Sequence, residues 1–207
     1  MFAMSGDARI YSPSSARNRD FIRDAFLKHM PTKGVIVEVG SGSGEHCIHI
    51  AAAAPHLYFL PGDPDEASRA SIAAWIAESA LDNISQPHDS DVTQENWRER
   101  FSACDGVLSI NMIHIAPFAA AKGLFAGAAS LLKDEGRLFL YGPFKRDGAH
   151  TAPTNEAFDQ WLKGRDSSWG VRDLDREIAP LANRTGFKIR DIVEMPANNL
   201  SVVFSKY

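Results

Sequence analysis

The run Gly34-Val35-Ile36-Val37-Glu38-Val39-Gly40-Ser41-Gly42-Ser43-Gly44-Glu45 decides the fold. Val35 to Val39 is short, β-branched and apolar, the pattern of a strand buried on both faces. The glycines after it let the backbone turn sharply and approach a neighbour or a ligand closely. Beyond them Cys47, Ile48, Ala51 and Ala52 form one apolar helical face that Pro55 ends. The spacing predicts a strand, a tight turn and a helix whose free N–H groups face the turn.

The alternation continues outward. Upstream, Phe21, Ile22, Ala25, Phe26 and His29 give helical spacing over Asp20 to His29, stopping near Pro31. Downstream, Leu57 to Leu60 reads as a strand and Glu66 to Ala80 as an amphipathic helix. Asn83 to His88 reads as a third strand, with Glu95 to Phe101 the helix after it. Gly106 to Ile110 is a fourth strand, followed by an alanine-rich helix from about Pro117 to Leu132. Lys133-Asp134-Glu135-Gly136 turns the chain into a fifth strand, Arg137 to Tyr141. Pro143 to Gly170 breaks the rhythm and reads as a long irregular insertion with a helix only around Glu156 to Leu162. A helix from Leu174 to Thr185, ended by Gly186, leads to Lys188–Glu194 and Leu200–Ser205, whose short connection requires antiparallel pairing. Right-handed crossovers then predict one α/β, Rossmann-like, doubly wound domain over residues 1–207. Its sheet has about seven strands, about six of them parallel, with an antiparallel final strand.

Composition narrows the classes. At 207 residues, 44% hydrophobic and 23% charged, the chain reads as one globular domain. A net charge of -4 without a Lys/Arg run argues against a nucleic-acid partner. Cys47 and Cys104 lack ligand or disulfide spacing and suit a reducing compartment; the cytoplasm is the expected location. No stretch approaches ~18 uninterrupted apolar residues, and no membrane association is expected.

The glycine turn has a ligand chemistry. The dinucleotide fingerprint needs glycine at position 45, where Glu45 stands. Glu38 and Glu45 would repel a pyrophosphate but suit a ligand carrying an ammonium and a sulfonium. Asp63, about 20 residues beyond the glycines, lies where a carboxylate accepts ribose hydroxyls. Each residue also has a plainer reading: Gly40, Gly42 and Gly44 as a packing turn, Asp63 and Asp65 as helix caps, Asp91 as a turn residue.

Glu38 to Gly44 matches the acid-x-G-x-G-x-G motif, and on it the chain resembles the class I S-adenosylmethionine-dependent methyltransferases. The resemblance covers nearly the whole chain, the antiparallel final strand pair included. It implies that S-adenosylmethionine is held by Glu38, Gly40, Ser41, Gly42, Gly44, Asp63, Asp91, Val92 and Asn111. Asp63 would take the ribose, Asp91 the adenine amino group, and Val92 the ring. More narrowly, Ala16-Arg17-Asn18-Arg19, Asn111-Met112-Ile113-His114-Ile115, Tyr141-Gly142-Pro143-Phe144-Lys145-Arg146, Trp169-Gly170-Val171-Arg172-Asp173 and Met195-Pro196-Ala197-Asn198-Asn199 resemble a methyltransferase-like family of unknown function.

The acceptor side is read from position. Asn111 lacks the Pro-Pro-aromatic continuation of amino-methyltransferases acting on DNA bases or glutamine amides. His114 is either a general base or a hydrogen-bonded structural histidine. His46 and His49 share a helix face without a third ligand, so no metal is expected. Trp75, Trp97 and Phe125 read as core. Residues 1–30 and 143–170 are expected to close over the site, with Tyr11, Arg17, Asn18, Arg146 and Asn199 binding a small polar acceptor. The alternatives are a protein or peptide methyltransferase, a non-catalytic cofactor-binding module, and a nicotinamide or nucleotide-sugar enzyme.

Overall fold

The computed structural model describes residues 7–207; the part of the expected N-terminal cover that falls on residues 1–6 lies outside them. Helix α1 spans Pro13–His29, longer than its apolar spacing predicts. Ser12 caps it by accepting from the Ser15 N–H, and Pro13 occupies the first turn, where no N–H is required. Then come β1 (Gly34–Val39), α2 (Glu45–Ala53), β2 (Leu57–Gly62), α3 (Glu66–Ser79), β3 (Cys104–Ile110), α4 (Phe118–Leu131) and β4 (Leu132–Pro143). A two-residue-per-strand hairpin follows, β5 (Lys145–Arg146) with β6 (Ala149–His150), then α5 (Pro153–Arg165), α6 (Ala179–Arg184), β7 (Phe187–Met195) and β8 (Asn199–Lys206).

The main sheet runs β2-β1-β3-β4-β8-β7, with β8 antiparallel to both neighbours and every other pairing parallel. Side-chain alternation divides the core between its two faces. Ile36, Phe59, Leu108, Phe139 and Val203 join Ile22 and Phe26 of α1 and Ile50 of α2. Val37, Val107, Leu138, Val202 and Phe204 join Leu124 and Phe125 of α4 and Leu181 of α6. Strands buried on both faces have to be apolar throughout, which is why β1 and β3 read as continuous runs.

Three expectations are corrected. The main sheet has six strands, not seven. Asn83 to His88 lies beside β2 but makes only single parallel bridges, Ile84 to Phe59 and His88 to Gly62. Pro87 has no N–H to give a continuous ladder. Asn83 instead turns its amide inward to the carbonyls of Ala51, Ala54 and Leu57, pinning the end of α2. The helix expected over Glu95 to Phe101 is a single 3-10 turn, Trp97–Arg100, with the Trp97 ring wedged against Gly127 of α4. Finally, Pro143 to Gly170 is more regular than an irregular insertion with a helix only around Glu156 to Leu162. Asp147 and Gly148, both at positive φ, turn the β5–β6 hairpin, and α5 fills most of the remainder. The Leu174–Thr185 helix begins as a π turn, Leu174–Ile178, because Pro180 cannot donate to the Arg176 carbonyl.

Candidate functional site

The chain leaves β1 to one side to form β2 and later returns on the other side as β3, so the topological switch lies between the carboxyl ends of β1 and β3. The glycine turn fills that position. Gly40, Gly42 and Gly44 have φ of 68°, 55° and 90°. A side chain on Gly40 would strike Met112 just past β3, whereas one on Gly42 would enter open space. The turn is stitched to the end of β2. Gly40 and Ser41 N–H donate to the Gly62 carbonyl at 2.9 and 3.1 Å, Gly62 N–H donates to Ser41 Oγ, and Gly42 N–H donates to Asp63 Oδ2 at 2.9 Å.

Two adjoining hollows open on this turn and share Gly40, Gly42, Ser68 and Ile115. The larger, about 510 Å³, takes in Asp63, Ser90, Asp91, Val92, Met112 and Trp169. The smaller, about 280 Å³, takes in Ile10, Ser15, Glu38, Ser41, His46 and Asn111. Three carboxylates line the pair, and neither Lys nor Arg does among the described residues. Glu38 is buried with Oε2 unpartnered. Burial pushes its carboxyl up to about 7, opposed in part by the Cys47 and Ser41 side chains and reinforced by Asp63. Ser90 Oγ is likewise buried without a partner. Burial, with the charges of His49 and Arg19, lowers His46 to about 4.

The N-terminal strap crosses the smaller hollow. Ile10 N–H donates to Ser71 Oγ, Trp75 Nε1 donates to the Ile10 carbonyl, and Ser12 N–H donates to Glu45 Oε2. Glu45, at the first position of α2, therefore holds the strap. Asp65 caps α3 through the Ser68 N–H, while Asp63 faces the cleft, its two oxygens accepting from Gly42 and Asp65 N–H. Asp91 closes a local turn by accepting from Thr93 N–H and Oγ1, and its carboxylate also borders the larger hollow.

The family described as "Protein of unknown function (DUF938)" matches residues 9–206. The chain belongs to the DUF938 family. This DUF938 chain is also similar to a tRNA (guanine-N(7)-)-methyltransferase of Rhizobium meliloti (strain 1021). The two are 28% identical over 125 residues, 49% of this chain and 51% of the relative. Among solved structures, an O-methyltransferase family protein from Burkholderia thailandensis superposes with a TM-score of 0.79 at 15% identity, over 93% of this chain and 56% of that one. The SAH-bound methyltransferase of calicheamicin biosynthesis gives 0.73 at 15% identity, over 94% and 54%. The fold is that of class I methyltransferases, and the DUF938 chain spans about half the length of these proteins.

Within this DUF938 chain, Glu38, Gly40, Ser41, Gly42, Asp63, Asp91, Val92 and Asn111 come together along the two hollows. Gly44 does not line them; it packs on Ile72 where α2 begins. The residues expected to bind an acceptor are divided. Asn18 reaches the cleft through His46, its Oδ1 lying 2.8 Å from Nε2, and its amide donates to the Tyr141 hydroxyl. Tyr11 packs edge-on against Trp75, and Arg17 is exposed on α1. Arg146 makes a two-pronged pair with Asp175 and, with Asn199, lines a separate hollow of about 400 Å³. His114 lines neither hollow of the cleft. It is fully buried, its Nδ1 accepts from Arg172 N–H, and its unpartnered Nε2 packs on Gly142. Burial and the neighbouring Arg172 lower it to about 3, so the ring is neutral at physiological pH.

Sequence reasoning missed Ser68, Ser90, Met112 and Ile115. No motif marks the serines, but the apolar turn right after β3 was a signal for Met112 and Ile115, because that strand end borders the switch point. His46 and His49 bond to Asn18 and Asp20, and no group of three or more His, Cys, Asp or Glu residues is arranged for a metal among the described residues. Both cysteines are free and buried, and no described helix is long and apolar enough to cross a membrane.

Proposed function

We propose that this chain binds S-adenosylmethionine and transfers its methyl group to a small molecule. One observation carries the reading: the cleft on the positive-φ glycine turn is lined by Glu38, Asp63 and Asp91 and, among the described residues, by no Lys or Arg, a lining that favours a cationic ligand over a phosphate. The unpartnered Oε2 of Glu38 fits a ligand with a donor of its own. Asp63 keeps about two of its four lone-pair sites for ribose hydroxyls. Val92 and Ala120 wall the adenine, with Asp91 at its amino edge. Glu38 faces the ammonium. Gly42 leaves room for the ligand backbone, and the strap at Ile10 to Ser12 excludes water.

When bound, the cofactor supplies an electrophilic methyl on sulfur. Residues around the cleft hold donor and acceptor in line and keep solvent out, the main contribution a protein makes to such a displacement. The acceptor's proton leaves to water. His114 serves as a positioning residue in this reading: with Arg172, which bonds the carbonyls of Ile113 and Ala116, it holds the turn carrying Asn111, Met112 and Ile115. The half-length likeness to a tRNA methyltransferase favours a second reading, methylation of RNA. The net charge of -4 and the lack of Lys and Arg in the lining among the described residues oppose it.

Calorimetry with S-adenosylhomocysteine tests the proposal. Asp63→Ala should weaken binding by roughly 1.5–3 kcal/mol, the value of hydrogen bonds to a charged group. A flat titration with folded wild-type protein refutes it. Incubation with radiolabelled cofactor and cell extract should put label in the small-molecule fraction. Label in tRNA supports the second reading, label in intact protein supports a protein methyltransferase, and binding without turnover supports a non-catalytic module.

A further inference from the structure

Resting on that cofactor reading, the rim of the cleft selects the acceptor. Ile10, Tyr11 and Ile115 are 42%, 60% and 44% exposed, and all three belong to the cleft mouth or the strap crossing it. Ile115 lies at the junction of the two hollows, Ile10 lines the smaller, and Trp169 and Met112 line the larger. Large apolar side chains held open to water beside a cavity are surface waiting to be covered.

The charges point the same way. Among the described residues, the charged side chains of the lining are Glu38, Asp63 and Asp91, and His46 is neutral. The cations nearby are engaged elsewhere or set aside, Arg69 by the Asp63 and Pro64 carbonyls and the Asp89 carboxylate. Arg9 lies over the Trp75 ring and pairs with Asp7 and Glu78. Arg146 is held by Asp175 in its own hollow, and Arg172 is spent on backbone carbonyls. Arg17 and Arg19 of α1 do not line the cleft. An acceptor with a carboxylate or phosphate would find no Lys or Arg in the lining among the described residues, so the small polar acceptor expected at Arg17 and Arg146 meets neither of them in the cleft.

We infer that the acceptor is an uncharged molecule with a flat apolar face, of the aromatic hydroxyl class, received on Ile10 and Ile115 with Trp169 beside it. In the transfer, a lone pair of the hydroxyl oxygen forms the new bond to the methyl carbon. The sulfur–carbon pair returns to sulfur as a thioether, and the hydroxyl proton passes to water.

The probes are 2-naphthol and its anionic counterpart 2-naphthoate, titrated calorimetrically into protein saturated with S-adenosylhomocysteine. 2-Naphthol should bind roughly tenfold more tightly than 2-naphthoate. Ile115→Ser should weaken 2-naphthol about fivefold, in line with losing part of a buried isoleucine face. Ile115→Lys should reverse the preference by supplying the missing counter-ion. Residue 115 is substantially exposed, so these variants fold. Equal binding of the two probes, or unchanged 2-naphthol affinity in both variants, overturns the inference. If S-adenosylhomocysteine binds and 2-naphthol does not, the acceptor class is wrong and the cofactor reading stands. If S-adenosylhomocysteine itself fails to bind, both fall.

Discussion

Glu38 is the residue at which fold and function conflict. It is the penultimate residue of a strand buried on both faces, so its carboxylate is desolvated, and its pKa rises from an ordinary 4.5 to about 7. A raised folded pKa means that the native state binds the proton more tightly than the unfolded chain. The stabilising contribution is therefore complete below about 4.5 and lost as pH rises through about 7. For ligand-free protein this amounts to about 3 kcal/mol. Glu38→Gln should accordingly raise the melting temperature at pH 8 more than at pH 5. The same substitution should weaken S-adenosylmethionine binding at pH 8 and flatten its pH dependence, which in the wild type falls as pH drops through about 7. Equal stabilisation at both pH values would show that Glu38 titrates normally. His114 is the opposite case. The sequence left it open between base and structural histidine; complete burial and the Arg172 N–H on Nδ1 favour the second.

At the scale of elements, the cleft depends on how segments distant in sequence are fastened together. Ser71 of α3 accepts the Ile10 N–H and donates to the Ser43 carbonyl, tying the strap, the glycine turn and α3 with one hydroxyl. Ser71→Ala should cost about 1 kcal/mol, a typical net hydrogen bond. Hydrogen exchange should quicken at Ile10, and S-adenosylhomocysteine affinity should drop several-fold. Exchange that is unchanged at Ile10 would show that Trp75 and Glu45 suffice to hold the strap. The insertion after β4 illustrates a signal that was present and passed over. Asp147-Gly148 is a two-residue turn pair, but its strands are only two residues each, too short to show alternation. The six-strand sheet has the converse cause: Asn83 to His88 has strand-like composition, and its single proline removes the ladder.

For the whole molecule, a ligand that binds only the folded chain should stabilise it by mass action. At one hundred times the dissociation constant, S-adenosylhomocysteine should add about 2.7 kcal/mol, read as a rising melting temperature across a titration; NAD should add nothing. Stabilisation by NAD alone would return the nicotinamide alternative. How much of this was legible follows from the range of each interaction. The sequence by itself determined the strand–turn–helix start, the order of alternating elements and the antiparallel pair at the end, because burial periodicity and glycine punctuation are local. It also singled out Glu38, Gly40, Gly42 and Asp63, since acids beside a glycine turn at a strand end suit a cationic ligand better than a phosphate. Only tertiary structure decided what stands opposite them. Met112 meets Gly40 because β3 returns beside β1, and Ile10 roofs the smaller hollow because Ser71, 61 residues away, holds it there. Arg146 stands away from the cleft for the same kind of reason, since Asp175, 29 residues on, holds its guanidinium beside a separate hollow. Side-chain partnership across such separations depends on where crossovers place the strands, and no local pattern in the chain encodes it.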